Sequence, residues 1–254
     1  MHKTLTLAIA GTAGLASAGQ SFDANVTGDV IFGSGNANGG FTVNQDNGLE
    51  LGLRAKVRFD SNNQPQNIFN SNGDGTYTFR AGLPPSGFGF APNSTSTATW
   101  NFEWSINSDF EGTSGDKLNA YTYVMKIDFD PSSGTNFLEF DPVNQVFADH
   151  AIGDNNTANG AGTNATDALE YASLINGNNI AQNSWNMEFF NDSGLGFPFD
   201  GRVAGEYDIV LEAFDAEGDL LVSNSITVFT VIPLPGASAM AGLGLIAVGT
   251  RRRR

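Results

Sequence analysis

Residues 100–107 read Trp-Asn-Phe-Glu-Trp-Ser-Ile-Asn, a run in which apolar and polar side chains alternate at every position. Successive side chains of a β-strand point to opposite faces of the sheet, so strict alternation predicts a strand with one apolar face. That face carries Trp100, Phe102, Trp104 and Ile106. Side chains of this size stabilise a protein only when they are buried. The run therefore predicts a central strand, with Trp100 and Trp104 in the core.

The same period of two recurs along the chain and predicts an all-β domain. In residues 49–60 apolar side chains alternate with Glu50, Arg54, Lys56, Arg58 and Asp60, which predicts one apolar and one charged face. Further strands are predicted over residues 77–83, 121–130, 137–140, 185–190, 207–214 and 220–231, with a Gly-containing hairpin turn at 215–219. Many short strands with polar turns indicate an antiparallel β-sandwich, for which jelly-roll and Ig-like topologies both remain open.

One short helix is predicted within the β-rich chain. Asp167, followed by Glu170 three residues later, has the spacing of a helix N-terminal cap, and apolar residues follow as far as Gly177. The helix lies in the Asn- and Gly-rich stretch 150–182, which we expect to be a long connection over one end of the sandwich. No internal repeat or domain boundary interrupts the rest of the chain.

Composition and charge exclude several classes of protein. Of the 254 residues, 40% are apolar, 31 are Gly and none is Cys, so a core can form without disulfides, thiolate metal sites or Cys nucleophiles. The chain has 27 acidic and 12 basic residues, a formal charge of −15. A nucleic-acid-binding protein needs a basic surface, so nucleic acid is not an expected partner.

The N-terminus has the layout of a secretory signal. Met1-His2-Lys3 is followed by an uncharged run that ends in Ala16-Ser17-Ala18. A short basic start, an apolar stretch and an A-x-A sequence are the parts of a cleavable signal peptide. Residues 1–18 are therefore predicted to be removed by cleavage after Ala18, so that the mature chain begins at Gly19.

The C-terminus combines a proline motif, an apolar helix and a basic cluster. Residues 231–235 read Val-Ile-Pro-Leu-Pro, an uncharged run extends to Thr250, and the last four residues are Arg. The 17 residues from Leu234 to Thr250 would span about 26 Å as a helix, which is short for a membrane span. The Arg cluster would stay on the cytoplasmic side. The pattern predicts a short transmembrane helix that anchors the chain.

This end of the chain resembles the PEP-CTERM class of bacterial sorting signals, with Val-Ile-Pro-Leu-Pro in place of Val-Pro-Glu-Pro. The residues that carry the resemblance are Val231, Pro233, Leu234, Pro235, Arg251, Arg252, Arg253 and Arg254. The resemblance implies export, transient residence in the inner membrane, cleavage by an exosortase-type peptidase, and release to the cell surface or the extracellular polymer. Residues 50–230 also resemble an uncharacterised secreted domain that is often joined to such a signal.

These signals divide the chain into three parts: a signal peptide (1–18), a secreted β-sandwich domain (19–231) and a sorting signal (232–254). Removing both ends takes away Lys3 and the four terminal Arg but no acid, which leaves seven bases against 27 acids and a charge of −20. Such a domain is expected to avoid anionic polymers unless a cation bridges them.

Two groups of oxygen-bearing side chains are candidates for calcium binding. Asn70, Asn72 and Asp74 alternate within a loop that has Gly75 at its sixth position, but Ala81 stands where a calcium loop of this type needs a carboxylate. The sequence therefore favours a plain hairpin turn. Asp128 and Asp130 share one face of a predicted strand, and we expect that face to be solvated. No other cofactor is expected.

Little in the sequence indicates catalysis. Four acids could serve a glycosidase, which needs two carboxylates across the scissile bond: Glu103, Glu139, Asp141 and Glu188. None of them belongs to a recognisable motif. His150 is the only His in residues 19–231, which argues against a multi-His zinc site and a Ser-His-Asp triad. A surface or capping role is expected for it.

Trp185 is the residue that we expect to contact a ligand. It follows a polar loop, and exposed Trp rings are typical of surfaces that stack against sugars. The sequence thus favours a non-catalytic exported protein with a structural or adhesive role at the cell surface or in the extracellular matrix. The alternatives are a module that binds extracellular polysaccharide and, as a weaker one, a secreted glycoside hydrolase.

Overall fold

The computed structural model describes residues 19–89, 92–191 and 196–232. The predicted cleavage residues Ala16 and Ala18 lie outside these ranges, as do Pro233 and every residue after it, including the Arg cluster. The predicted signal and transmembrane helices therefore fall outside the described residues. Within the described ranges, no helix combines the length and apolar character that a membrane crossing requires.

The described part of the chain forms eleven strands, one α-helix and two short 3-10 helices. In chain order the strands and the α-helix are β1 (Ser21–Ala24), β2 (Phe41–Asp46), β3 (Leu49–Val57), β4 (Thr76–Arg80), β5 (Trp100–Asn107), β6 (Thr122–Asp128), β7 (Phe137–Phe140), β8 (Ala151–Gly153), α1 (Ala168–Gly177), β9 (Ile180–Trp185), β10 (Gly205–Phe214) and β11 (Leu220–Val231). The 3-10 helices are Leu118–Ala120 and Met187–Phe189. The predicted β-rich class with a single short α-helix is confirmed for these residues.

The strands form two sheets that pack against each other as a β-sandwich. The first sheet has the order β1-β2-β3-β5-β9-β8, and the second has the order β4-β11-β10-β6-β7. All pairs but one are antiparallel. The exception is β4, which runs parallel to β11 with Tyr77 opposite Val228. The prediction of a purely antiparallel sandwich was wrong at this pair, because most of the domain separates the two strands and no hairpin fixes their direction.

The core lies between the sheets and contains the large side chains that alternation assigned to it. Trp100 and Trp104 are each at most 1% exposed, so their predicted burial is confirmed. The predicted hairpin turn also forms, because Asp215 N–H donates to Asp219 O at 3.1 Å and its Oδ1 accepts from Asp219 N–H at 2.8 Å. These local patterns account for β5 in the first sheet and for the β10–β11 hairpin in the second.

The charged face of β3 is buried. Glu50 and Arg54 are fully buried, and so are Lys56 and, on β5, Glu103. Residues 25–39 cover this face of the first sheet: Arg54 Nη1 donates to Ala37 O at 2.8 Å, and Glu50 Oε1 accepts from Thr27 N–H. A charged strand face is solvated only when nothing packs over it. Here residues 25–39, which precede β2, pack over this face and bury it.

The stretch 150–182 is more structured than a simple connection. Asp167 Oδ1 accepts from the N–H groups of Leu169 and Glu170 at 2.9 Å, so the predicted cap of α1 is confirmed. The same stretch contains β8 and the start of β9, which the alternation pattern did not indicate. The strand predicted over 185–190 was wrong, because β9 ends at Trp185 and a 3-10 helix follows it.

Candidate functional site

A groove of about 760 Å³ opens where the β7 edge of the second sheet faces the end of β9 in the first sheet. Its volume is within the range typical of ligand sites. The residues that line it are Leu138, Glu139, Phe140, Pro142, Gln145, Ala148, Asp149, His150, Asn183, Ser184, Trp185, Phe189 and Phe190. We call it the edge groove.

The edge groove exists because two strands lack a neighbour on one side. β7 is the last strand of the second sheet. In the first sheet β8 is short and pairs with β9 only as far as Gln182, opposite Ala151. Among the described strands, the end of β9 is therefore paired with β5 alone, where Trp185 lies opposite Phe102. Both strands thus present an unpaired edge, and the space between them remains open.

Aromatic rings form the floor of the edge groove. Trp185 is half-buried, and its ring centroid lies 5.5 Å from that of Phe190 and 5.8 Å from that of Phe140. Beneath it, Trp104 lies 5.2 Å from Trp185 and anchors it to the core. Ring pairs at these distances attract each other beyond their buried area. The exposed part of Trp185 is thus held on a rigid aromatic base.

His150 lies in the wall of the edge groove and is only 2% exposed, so the predicted surface or capping role was wrong. Its Nε2 lies 2.6 Å from Pro142 O, and a carbonyl can only accept, so Nε2 carries the proton. Its Nδ1 then accepts from Asn183 Nδ2 at 3.0 Å. These two hydrogen bonds connect β9 to the loop that lies before β8. Together they require the neutral form of the imidazole.

Burial lowers the pKa of His150 below its ordinary value of 6.5, although the bond to Pro142 O and the nearby charge of Asp149 act in the opposite direction. The other charged or titratable side chain in contact with the imidazole is Tyr171 of α1, whose ring centroid lies 6.0 Å away. Burial raises the pKa of Tyr171, so its phenol is neutral. The neutral imidazole is therefore the form that the folded domain favours.

We expect His150 to make the β-sandwich domain less stable in acid. Between the folded pKa and 6.5 the unfolded chain binds a proton that the folded chain does not bind. The free energy of unfolding should therefore fall with decreasing pH, by up to about 1.4 kcal/mol per pH unit. Urea denaturation of residues 19–231 between pH 7.5 and 5.5 measures this slope. The His150→Asn variant is the control, and an equal slope in both proteins would contradict the expectation.

The rim of the edge groove is polar and contains two carboxylates. Asn183 Nδ2 donates to Asp149 Oδ1 at 3.1 Å, and Gln145 Nε2 donates to Asp141 O. Glu139 is exposed on the edge strand β7. Among the described residues that line the groove there is no Lys or Arg. The rim is therefore acidic.

The calcium candidates hold turns. Asp74 Oδ1 accepts from Thr76 N–H at 3.0 Å and from its hydroxyl at 2.6 Å, within the hairpin before β4. Asn72 Nδ2 also donates to the Thr76 hydroxyl, and Asn70 adopts a left-handed backbone conformation with φ of 52°. In the described ranges, no cluster of three or more acids or His could bind a metal ion.

Asp128 and Asp130 hold the turn that follows β6. Asp128 Oδ1 accepts from Asp130 N–H at 3.0 Å and from Asn136 N–H at 2.8 Å. Asp130 Oδ1 in turn accepts from Ser132 N–H. Asp128 is 1% exposed, so the predicted solvated face was wrong for this residue. Its burial raises its pKa, although these hydrogen bonds act in the opposite direction.

The four acids considered for hydrolysis lie in different settings. Glu103 is buried against Arg54 on the outward side of the first sheet, and Glu188 accepts from the Thr97 hydroxyl at 2.7 Å. Asp141 accepts from Tyr123 N–H and holds the loop after β7. Of the four, only Glu139 lines the edge groove.

Of the residues that line the edge groove, the sequence predicted Trp185 as a ligand contact, and it singled out Glu139 and His150 for other roles. No protein-family model matches the chain, and no curated protein and no solved structure shows significant similarity to it. The function must therefore be argued from the edge groove itself. Phe140 and Phe190 lie far apart in sequence, so alternation within a strand could not bring them together.

Proposed function

We propose that the protein is an exported, non-catalytic β-sandwich that binds a glycan chain in the edge groove. The single observation that supports this proposal is the position of Trp185, whose ring is partly exposed on the floor of the edge groove of about 760 Å³. The adhesive role expected from the sequence then follows, because binding to extracellular polysaccharide would retain the protein at the cell surface.

The chemistry of the edge groove suits a sugar. The C–H groups on one face of a pyranose ring form an apolar surface that stacks on an aromatic ring such as Trp185. The sugar hydroxyls need hydrogen-bonding partners at the side, which Asp149, Gln145 and Ser184 can supply. The groove lies between two sheet edges and is open at the surface, so it can accept a chain that continues beyond it.

Export by the terminal signals is a separate part of the proposal. It rests on the A-x-A sequence before Gly19 and on the resemblance of residues 231–254 to an exosortase-type sorting signal. Intact-mass analysis of the protein from outside its native cells should show a chain that begins at Gly19 and lacks Arg254. A chain outside the cell that still has Met1 or Arg254 would contradict this part alone.

We expect Trp185→Ala to weaken glycan binding by at least about tenfold, which corresponds to about 1.4 kcal/mol. Isothermal titration of residues 19–231 with a panel of oligosaccharides measures the affinity, and Trp185→Phe should lie between the wild type and Trp185→Ala. The control is Phe22→Ala, which removes an exposed ring on β1, the far edge of the first sheet.

Because Trp185 also packs against the core, each variant needs a urea transition with an unchanged slope to show that it is folded. Folded variants that bind as tightly as the wild type would overturn the proposed site. If no oligosaccharide of the panel binds to the wild type, the proposed function fails, and a purely structural surface role replaces it.

A further inference from the structure

We infer that the edge groove takes glycans without acidic groups and rejects chains that contain uronate or sulfate units. The inference rests on the proposed function and adds the class of glycan to it. It is based on the charge of the rim and on which of its polar groups donate or accept hydrogen bonds. The occupant is therefore a hydroxyl-rich oligosaccharide segment.

The charges at the edge groove are of one sign. The charged side chains among the described lining residues are Glu139 and Asp149, and His150 is neutral because burial lowers its pKa. Proteins recognise carboxylate and sulfate groups chiefly through Arg and Lys, which donate charged hydrogen bonds. An acidic sugar would be repelled by Asp149, and no Lys or Arg among the described lining residues could offset that repulsion.

The nearest cation by register is engaged elsewhere. Lys126 on β6 lies opposite Glu139 on β7, and side chains of directly paired residues share one face of a sheet. Lys126 Nζ forms an ion pair with Glu212 Oε2 at 3.0 Å, on the neighbouring strand β10. It therefore belongs to the outer face of the second sheet and offsets part of the charge of Glu139 there. Asp149 remains the carboxylate without a cationic partner at the rim.

The donors of Asn183 are already in use. A side-chain amide has two N–H groups, and here they serve Asp149 Oδ1 at 3.1 Å and His150 Nδ1 at 3.0 Å. Its Oδ1 accepts from Ser184 N–H at 2.7 Å. Asn183 is thus a positioning residue that fixes the orientation of Asp149. Every charged group on the rim accepts hydrogen bonds and none donates them.

A ligand at this rim must therefore supply donors. Sugar hydroxyls can both donate and accept, so they can satisfy Asp149. Carboxylate and sulfate groups only accept hydrogen bonds. Next to such a group, Asp149 would lose water molecules that donate to it and would face another acceptor instead. Repulsion by Asp149 and the lack of a charged donor among the described lining residues both disfavour an acidic chain. We expect an acidic chain to bind about tenfold more weakly than the matching neutral chain.

The test uses matched pairs of probes. Hexasaccharides of glucose, mannose, galactose and N-acetylglucosamine are each compared with the same chain oxidised to the carboxylate at C6. Titration at 20 mM NaCl should give binding of at least one neutral chain and about tenfold weaker binding of its oxidised form. At 0.5 M NaCl the difference should shrink to about threefold, because salt screens the repulsion and leaves stacking unchanged.

Asp149→Asn should reduce the ratio of the affinities for the neutral and the oxidised chain by at least threefold at 20 mM NaCl. The substitution removes the charge and keeps an oxygen that can accept a hydrogen bond from Asn183. Asp46→Asn, an exposed acid at the end of β2, is the matched control and should leave the difference unchanged. Equal or tighter binding of the oxidised chain by the wild type would overturn this inference and leave glycan binding intact. Failure of all neutral and oxidised chains to bind would instead overturn the proposed function.

Discussion

Glu103→Gln should lower the free energy of unfolding by about 3–5 kcal/mol, because it leaves two buried cations without an opposite charge. In the wild type, Glu103 Oε2 lies 2.6 Å from Arg54 Nε and its Oε1 lies 2.6 Å from Lys56 Nζ, and all three side chains are at most 3% exposed. Burial already lowers the pKa of both bases more than Glu103 raises it. Urea denaturation at pH 7 measures the loss.

The matched control for this variant is Glu212→Gln. Glu212 pairs with Lys126 at 3.0 Å, and the two side chains are 16% and 27% exposed. Partly exposed pairs contribute little, so this variant should cost less than about 1 kcal/mol. If Glu103→Gln costs no more than the control, the cluster is hydrated and does not form the buried ion triad described above.

Trp104→Ala should cost about 3–5 kcal/mol, because it leaves a large cavity in the core. The Trp104 side chain is fully buried, and its ring centroid lies 4.8 Å from that of His150 and 5.2 Å from that of Trp185. The same variant should weaken glycan binding, since Trp185 loses the ring beneath it. Urea transitions and titration with the neutral hexasaccharides measure the two effects.

Leu169→Ala serves as the control for the loss of a large apolar side chain. Leu169 is 84% exposed in the first turn of α1, where Ala is also a good helix former, so the change should stay within about 0.5 kcal/mol. A cost below about 1 kcal/mol for Trp104→Ala would mean that the indole is not part of the packed core and would remove the base assigned to Trp185.

Local sequence pattern predicted the parts of the fold that depend on local geometry. Alternation placed Trp100 and Trp104 in the core, and the spacing of Asp167 and Glu170 located α1. Neither of these two predictions requires knowledge of which segments pack against the polar face of a strand. Alternation indicates that the two faces of a strand differ in polarity. It does not indicate whether another segment packs over the polar face. For this reason the burial of Arg54 and Glu103 under residues 25–39 could not be predicted.

The edge groove was only partly predictable for the same reason. Trp185 was predicted to contact a ligand because it follows a polar loop and exposed Trp rings are typical of sugar-stacking surfaces, whereas Phe140 and Phe190 join it only through the packing of the two sheets. The sequence predicts a surface or capping role for His150, whereas the side chain is buried. Its actual environment comes from Trp104 and Asn183, which belong to two other strands.

The parallel pairing of β4 with β11 governs the order in which the domain can fold. Thr76–Arg80 finds its partner only in the last strand, and Asn224 on β11 donates to Thr42 O and Leu51 O of the first sheet. A chain delivered from its N-terminus would therefore stay open until residue 231 was available. Long-range pairing of this kind folds slowly. The architecture thus delays completion of the second sheet until nearly all of the described part of the chain has been synthesised.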